Sequence, residues 1–492
     1  MMGVEMRGGT DEAARKRQIG EAMNRIAESG LQFIRFVWCD IHGVLRGKVL
    51  VPAAAEKAMQ DGLGFVSTLL LKDTSDRTAF KVFEPDGAAA LPDFAFASNI
   101  MLMADPARLH PLPWAPDSAW LFADTFMPDG RPVEIDARRV LRKALRRLNA
   151  AGYGMKCGLE VEFHIYRILD AEGQEDPEQA AWPGLPPRVA MIHPGYNLLS
   201  DGWYDMAEKP MRIVRDVAAG LGLPLLSLEI EFGPSQVEAV FDVTDALTAA
   251  DNMVLFRNGV RQALRRAGYH ATFVCRPPFP NIMSSGWHLH QSLVDLKTGA
   301  NAFRRAQPAD GSDALAAGYT LSDIGGQYLA GLLEHAKGMA LFCTPTPNGF
   351  ARYQPNALAP QAVVWGRDNR GAMLRVVGAC GDGGTRIENR IGESGANPYL
   401  YLAAQIHAGL DGIERRLEPP RATNSPYGGD HDMLPTSLGA ALAALRADPV
   451  LVDAFGPGFI GYYEQLKRSE LARFDAAEDK TEFQRREYFS RY

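Results

Sequence analysis

Four short segments alternate charged and apolar residues, and this pattern constrains the fold of the chain more than any other feature. They read KCGLEVEFHIY (156–166), SLEIEF (227–232), GWHLHQSL (286–293) and TRIENR (385–390). Alternate residues of a β-strand point to the same side of a sheet, so each segment predicts a strand with one charged and one apolar face. We interpret the four strands as parts of one sheet or barrel with a charged interior.

The residues on these faces point to a particular chemistry. Glutamates that line one cavity repel each other and are costly to desolvate, so they require cations. Carboxylates with at most one imidazole suit Mg²⁺ or Mn²⁺ rather than zinc. Arg386 and Arg390 add donors suited to phosphate or carboxylate groups. Together these groups predict phosphoryl transfer. The alternative, solvent-exposed strand faces, predicts lysines and threonines among the glutamates, and lysine is nearly absent there.

Composition limits the class of protein. A chain of 492 residues suits two or three domains. The net charge of −7 argues against general binding to nucleic acid, even though the predicted helix 137–150 is rich in arginine. The N-terminal residues contain no apolar core typical of a secretory signal, and no apolar run is long enough to span a membrane. The five cysteines form no CxxC motif. We therefore expect a cytoplasmic protein without membrane or nucleic-acid partners.

The coarse periodicity predicts a mixed α/β organisation. A hairpin is expected from residues 33–38 and 44–51, joined by a turn at 40–43. The predicted helices cover residues 11–30, 137–150, 209–222, 245–267, 319–341 and 398–416. We place a domain boundary between residues 125 and 126.

The order and spacing of several motifs resemble the glutamine synthetase family over most of the chain. They are the ExE pair of 160–162, EFGPSQVE (231–238), SGWHLHQSL (285–293), the arginine-rich segment 348–375, RIENR (386–390), ANPYL (396–400) and DIHGVLRGK (40–48). The resemblance is strongest to the branch that forms γ-glutamyl amides. It implies an α+β fold, with an N-terminal β-grasp domain over 1–125 and a catalytic domain over 126–492. That catalytic domain would be an antiparallel half-barrel with surrounding helices.

The resemblance also assigns roles to the charged residues. One metal ion, Mg²⁺ or Mn²⁺, would be held by Glu162, Glu231 and Glu238, and another by Glu160, His288 and Glu388. The residues facing ATP would be His290, Ser292, Arg370, Arg375 and Arg386. Arg352 and Arg390 would hold the carboxylates of glutamate and the transferred phosphoryl group. The implied reaction phosphorylates the glutamate side chain, and an amine then displaces phosphate.

Two positions depart from the ammonia-using members of the family. Those members carry a glutamate where this chain has Leu358, and an aspartate where it has Val66. Both acids help to bind ammonium and to take its proton. Aliphatic replacements favour an apolar or aromatic amine, which needs no anionic site and gains from apolar walls. Phe65, Trp287 and Trp365 are further candidates for the wall of this pocket, although each is typical of a core position.

Several alternatives stay open at this point. The chain could be an ordinary glutamine synthetase, a γ-glutamylpolyamine synthetase or a non-catalytic member of the family. The presence of all six implied metal ligands argues against the last. The resemblance further implies a homo-oligomer of stacked rings, a decamer or dodecamer, with each site lying between two subunits.

Overall fold

A five-stranded sheet forms in the first quarter of the chain. The computed structural model describes residues 12–84, 91–170, 180–306, 321–354 and 358–492. The strands are β1 (Phe33–Cys39), β2 (Leu45–Leu50), β3 (Leu63–Val66), β4 (Asn99–Leu112) and β5 (Ala115–Phe126), in the order β2-β1-β5-β4-β3. β1 runs parallel to β5 and the other pairs are antiparallel. The predicted β1–β2 hairpin is confirmed. Helices α1 (Glu12–Glu28) and α2 (Pro52–Asp61) pack on β4.

A nine-stranded sheet forms the larger part of the molecule. Its strands are β6 (Tyr153–Ile168), β7 (Val189–Met191), β8 (Leu225–Ile230), β9 (Gln236–Asp245), β10 (Tyr269–Thr272), β11 (Gly286–Asp295), β12 (Trp365–Arg367), β13 (Leu374–Val377) and β14 (Arg386–Glu393). The order is β12-β13-β14-β11-β6-β9-β8, and β7 and β10 also pair with β6. The sheet curls into a half-barrel. The four predicted charged strands are β6, β8, β11 and β14, so the expectation that they share one sheet is confirmed.

Helices surround this sheet. They are α3 (Ala137–Ala150), α4 (Asp201–Gly220), α5 (Ala246–Arg266), α6 (Asp323–Glu334), α7 (Ala336–Cys343), α8 (Pro398–Glu414), α9 (Leu438–Arg446), α10 (Pro449–Phe455), α11 (Pro457–Ala476) and α12 (Lys480–Glu487). The prediction of one continuous helix over 319–341 is wrong for the described residues, which form two helices. His335 separates α6 from α7, and its ring nitrogens hydrogen-bond Asp411 (2.9 Å) and Asp448 (2.7 Å).

The apolar faces of the charged strands form the core. Trp287, Leu289 and Leu293 of β11 are fully buried, and the Trp287 ring packs edge-on against Tyr401 of α8 at 5.0 Å. α8 is buried on nearly all sides, which explains why its sequence has no polar stripe. The core runs through both sheets without a break among the described residues. The domain boundary at residue 125 therefore stays a prediction.

The arginines of α3 find acidic partners within the same chain. Arg138 pairs with Asp251 at 2.9 Å and with Asp124 at 2.8 Å, and Arg142 also contacts Asp124 at 2.8 Å. Arg147 reaches Glu414 at 2.7 Å. These ion pairs account for the basic run as part of helix packing. Among the described residues, no helix is both long and apolar enough to cross a membrane.

Candidate active site

The strand register brings the charged side chains together on one face of the large sheet. His288 lies opposite Glu160 in the β11–β6 pair, and Glu388 lies opposite His290 in the β14–β11 pair. In the β6–β9 pair, Glu162 lies opposite Glu238. Facing residues of antiparallel strands have closely spaced Cβ atoms, so a continuous row of carboxylates and imidazoles results.

Three carboxylates at one end of this row form a tight group. Glu162, Glu231 and Glu238 each offer one oxygen, and these oxygens lie within 4.8 Å of one another. Burial, reinforced by the charge of Glu162, raises the pKa of Glu238 to about 10 and that of Glu231 to about 8. A bound divalent cation would relieve this repulsion.

Glu160 is the centre of a second group. One oxygen of Glu160 lies 3.2 Å from His288 Nδ1, and the other lies 2.8 Å from His290 Nε2. Burial alone would raise the pKa of Glu160, but the hydrogen bonds from the two histidines hold it well below its usual range. Burial, together with Arg390, lowers the pKa of His288, which keeps a nitrogen lone pair available at neutral pH.

Each of the two histidines belongs to a group of residues that could hold a metal ion. Glu160, Glu238 and His288 offer ligand atoms within 4.8 Å of one another, and so do Glu160, His290 and Glu388. His288 Nδ1 also lies 3.7 Å from Glu388 Oε1. The three residues predicted for the second metal therefore lie together, and His290, predicted to face ATP, joins them. Arg386 Nε donates to His290 Nδ1 at 3.0 Å, which leaves the proton of that ring on Nε2.

Two arginines bind Glu388, which is fully buried. Arg375 donates to Oε2 at 2.9 Å, and Arg390 donates to Oε1. Burial raises the pKa of Glu388, but the adjacent His288 and Arg390 more than offset this, so its pKa lies below the usual value. Arg375 is also bound by Asp368, a residue absent from the sequence-based site, at 2.9 Å from its Nε.

Arg352 lies against the backbone of β14 and β11. Its Nη1 donates to the Arg390 carbonyl at 2.6 Å, and its Nη2 lies 3.3 Å from His288 Nε2. A Cβ atom at Gly286 would lie 2.4 Å from Nη2, so only glycine leaves room for this guanidinium. Both residues predicted to hold anionic substrate groups, Arg352 and Arg390, thus border the carboxylate row.

Ser292, Arg370 and Leu358 lie at the edges of this region, whereas Val66 lies in the five-stranded sheet. Ser292 is partly buried on β11 opposite Lys156, and Arg370 is exposed in the turn between β12 and β13. Leu358 is 62% exposed, with a positive φ of 55°, and its carbonyl accepts a hydrogen bond from Arg390 Nη2 at 3.3 Å. Val66 ends β3 and is 40% exposed.

The three aromatic candidates for the amine pocket belong to the core. Phe65 contacts Trp38, with ring centroids 4.3 Å apart, and Trp287 packs on Tyr401. Trp365 is 2% exposed and donates its Nε1–H to the Pro420 carbonyl at 2.7 Å. Each of them is buried at 4% exposure or less, so none is a wall of an open pocket on this chain.

Gln236 also belongs to the site, although it is not among the residues predicted from the sequence. It begins β9, two positions before Glu238 and on the same face, and its amide nitrogen donates to Glu162 Oε2 at 3.1 Å. The alternation of Gln236 with Glu238 is the signal that would have identified it.

The donor set fits divalent cations that prefer oxygen ligands. Five glutamates and two histidines converge, and burial together with the neighbouring carboxylates raises the pKa values of Glu231 and Glu238. Carboxylates with few imidazoles suit Mg²⁺ or Mn²⁺. Glu162, Glu231 and Glu238 are therefore fit to hold one ion, and Glu160 with its neighbouring histidines another.

Comparison with known proteins agrees with this geometry. The family model for the glutamine synthetase catalytic domain matches residues 134–486. A gamma-glutamylanilide synthase of Acinetobacter sp. is 38% identical over 487 residues, covering 96% of this chain and 95% of that protein. The gamma-glutamylethanolamide synthetase GlnA4 of Streptomyces coelicolor is 31% identical over 462 residues, covering 94% and 93%. The glutamine synthetase of Thermus thermophilus is 33% identical over 461 residues, covering 92% and 94%.

Solved structures show the same fold. The structure of GmaS without ligand superposes with a TM-score of 0.74 at 28% identity, and the match covers 93% of this chain and 97% of that one. An ADP complex of GmaS gives a TM-score of 0.73 at 27% identity, over 94% and 98%. The chain is thus an ATP-dependent carboxylate–amine ligase, of the class that activates a carboxylate and joins it to nitrogen. It belongs to the glutamine synthetase family, whose members use glutamate, ATP, divalent metal ions and an amine or ammonia.

Proposed function

We propose that this ligase joins the γ-carboxylate of glutamate to an organic amine, with apolar or aromatic amines favoured over ammonium, in amine catabolism. The observation that carries the proposal is Leu358. Its carbonyl is held by Arg390, and its aliphatic side chain is exposed at the position where ammonia-using members carry a glutamate. The 38% identity to a gamma-glutamylanilide synthase supports the same choice.

The roles that we propose for the charged residues are those that the family resemblance implies, and the grouping of their side chains supports them. Glu162, Glu231 and Glu238 would hold one metal ion, and Glu160, His288 and Glu388 another. When bound, such ions supply positive charge that offsets the repulsion between the glutamate carboxylate and the triphosphate. The residues on the nucleotide side would be His290, Ser292, Arg370, Arg375 and Arg386.

Arg352 and Arg390 would orient the reacting groups. The γ-carboxylate oxygen attacks the terminal phosphorus of ATP, the bond to ADP breaks, and γ-glutamyl phosphate forms. The amine nitrogen then attacks the acyl carbon, the bond to phosphate breaks, and the proton lost by the nitrogen passes to the released phosphate or to water. Guanidinium groups fixed before the reaction stabilise the charge on the transferred phosphoryl group at little reorganisation cost. The hydrogen bonds of Arg352 to the Arg390 carbonyl and of Arg390 to Glu388 and to the Leu358 carbonyl supply this fixation.

We expect the amine site to be apolar because Leu358 and Val66 stand where ammonia-using members carry acids. An aliphatic side chain cannot balance the charge of ammonium or of a diamine, whereas an arylamine is largely uncharged at neutral pH. Contact with apolar side chains adds about 25 cal/mol per Å² of apolar surface removed from water. In a ring assembly, Val66 of the neighbouring subunit would complete this site next to Leu358.

The test is phosphate release from ATP with glutamate and Mg²⁺ or Mn²⁺, across ammonium, ethylamine, isopropylamine, putrescine and aniline. Mass spectrometry identifies each product. Turnover with aniline or the alkylamines well above that with ammonium supports the proposal. Preference for ammonium would make the chain a divergent glutamine synthetase, and preference for putrescine a polyamine-specific member. Absence of turnover with every amine would support a non-catalytic role.

A further inference from the structure

Gln236 connects the segments that carry the three carboxylates of the first metal site. We propose that it is a positioning residue which fixes Glu162 so that one oxygen, Oε1, is left for the metal ion. This inference rests on the metal site of the proposed function and assigns a role to a residue that is not itself a ligand. Gln236 is 2% exposed and stands at the first position of β9.

The orientation of the Gln236 amide is determined by its neighbours. The backbone N–H of Gly233 requires an acceptor, and it lies 2.8 Å from Gln236 Oε1. The amide nitrogen therefore faces the opposite way, toward Glu162 Oε2 (3.1 Å), the Ser284 carbonyl (3.2 Å) and Ser285 Oγ (3.2 Å). All of these groups are acceptors, so the reversed amide would lose its favourable contacts.

Glu162 Oε2 is consequently saturated by N–H donors. Besides the Gln236 amide, the backbone N–H of Gly286 donates to it at 2.8 Å. The other oxygen, Oε1, has no such donor within the described part of the chain and lies 3.6 Å from His288 Nε2. A carboxylate with one oxygen held by two N–H groups presents its second oxygen in a fixed direction, as a metal ligand requires.

The backbone of Gln236 also holds the position of Glu231. Its carbonyl accepts the N–H of Glu231 at 3.0 Å, and its own N–H donates to the Gly233 carbonyl at 3.1 Å. The loop between β8 and β9 is therefore closed on Gln236. A Cβ at Gly233 would lie 2.5 Å from Gln236 Oε1 and 2.7 Å from Met283 Cβ, so a larger residue at this position would displace the Gln236 amide.

Ser285 completes the support from the opposite side. Its Oγ accepts from Gln236 and lies 3.2 Å from His164 Nδ1, so that it can donate to this ring nitrogen. The Gln236 amide, the Gly286 N–H and the Ser285 hydroxyl are uncharged groups, so this support adds no charge that would compete with a cation.

The experiment is a titration of the purified chain with Mn²⁺, followed by electron paramagnetic resonance of the free ion, without glutamate, ATP or amine. We expect Q236M, which keeps the length of the side chain and removes its donors, to weaken Mn²⁺ binding at one site by about 10- to 100-fold. The matched control is Q405M. Gln405 is fully buried and accepts hydrogen bonds from Gln291 and Asn389, so this variant loses a comparable buried amide and should bind Mn²⁺ as the wild type does.

A double-mutant cycle separates positioning from a general structural effect. If Gln236 acts through Glu162, then Q236M should have little further effect on Mn²⁺ affinity in an E162Q background. Additive losses in the cycle would overturn the inference. If Q236M does not fold, Q236N keeps the buried position polar while withdrawing the amide by one methylene, and an Mn²⁺ affinity equal to that of the wild type would again overturn it.

The outcomes distinguish this inference from the proposed function. If the wild type and Q236M bind Mn²⁺ equally well, this result contradicts the role of Gln236 and leaves the ligase proposal intact. Wild-type chain that binds no Mn²⁺ contradicts the metal site itself, and with it this inference. Weakened binding in Q236M but not in Q405M supports the role.

Discussion

His288 stands directly opposite Glu160 in the central pair of antiparallel strands, with its Nδ1 3.2 Å from the carboxylate. This pair joins two alternating segments that are more than a hundred residues apart in sequence. It places the imidazoles of β11 within reach of the carboxylates of β6, and the rest of the site is arranged along the same face.

Changing Leu358 to glutamate should shift the preferred amine. In L358E the new carboxylate restores a negative group for ammonium and removes apolar contact with an aryl ring. We expect kcat/KM for aniline to fall at least about tenfold, which corresponds to ~1.4 kcal/mol, while kcat/KM for ammonium rises. Coupled phosphate-release assays with both amines measure the ratio. The control L358M should leave it nearly unchanged, and an unchanged ratio in L358E would contradict the proposed role of Leu358.

Adding a methyl group at Gly286 should disturb Arg352. In G286A the new Cβ would lie 2.4 Å from Arg352 Nη2, so the guanidinium must move. We expect KM for glutamate to rise by about tenfold or more, since a displaced charged donor loses one to three kcal/mol of interaction. The control is G461A, because a Cβ at Gly461 meets nothing within 4 Å. Wild-type KM in G286A would show that Arg352 does not hold glutamate.

Removing one carboxylate should change how metal ions affect stability. In E238Q the electrostatic cost of burying Glu238 beside Glu162 and Glu231 is removed. The metal-free variant should therefore unfold at a higher temperature than the metal-free wild type. Mn²⁺ at a hundred times its dissociation constant should add about 2.7 kcal/mol to the free energy of unfolding of the wild type. The same addition should raise that of E238Q less. Thermal unfolding with EDTA and with Mn²⁺ tests both statements, and equal metal-induced shifts would exclude Glu238 as a ligand.

The buried ion pairs of His335 predict a stability that depends on pH. Burial lowers the pKa of this imidazole, but its hydrogen bonds to Asp448 and Asp411 outweigh burial and raise the pKa above the usual value of 6.5. The stabilisation is therefore complete below about pH 6.5, the pKa of an unfolded histidine, and is lost as the pH rises through the folded pKa.

The variant H335Q isolates this contribution. Its unfolding temperature should lie furthest below that of the wild type at acidic pH, and the difference should narrow as the pH rises. The hydrogen bonds to charged partners are worth roughly 1.5–3 kcal/mol at low pH. Thermal unfolding of both proteins across the pH range measures the difference. A gap that widens with pH would mean that His335 is neutral in the folded chain.

Much of the site could be predicted from the sequence because strand periodicity is local. Glu160 and Glu162, or His288 and His290, share a face whatever the rest of the chain does, since alternate residues of a strand always do. The motifs around them were specific enough to indicate the family. Helical periodicity is local in the same way, and it predicted α5 and α8 to within about two residues, because both are long helices with clear ends.

Other features depend on contacts between distant segments. Whether His288 or His290 lies nearer the carboxylates depends on strand register, and register is fixed by packing across the sheet. Trp287 and Trp365 lie in the core because the faces of their strands that carry them are buried. One alternating segment cannot show which face is buried. The helix predicted over 319–341 is interrupted at His335, whose ring contacts Asp411 of α8 and Asp448, the N-cap residue of α10.

The sequence by itself determined which residues are candidates for the chemistry: the glutamates, histidines and arginines on alternating strand positions, and Leu358, where the family resemblance implies an acid in ammonia-using members. Only the tertiary structure decided how they are held, with Glu388 between two arginines, Arg352 over Gly286, and Gln236 fixed on Glu162. The physical reason is the range of the interactions. Side-chain direction along a strand is set by the local backbone, whereas hydrogen bonds between segments form only when the whole sheet has assembled.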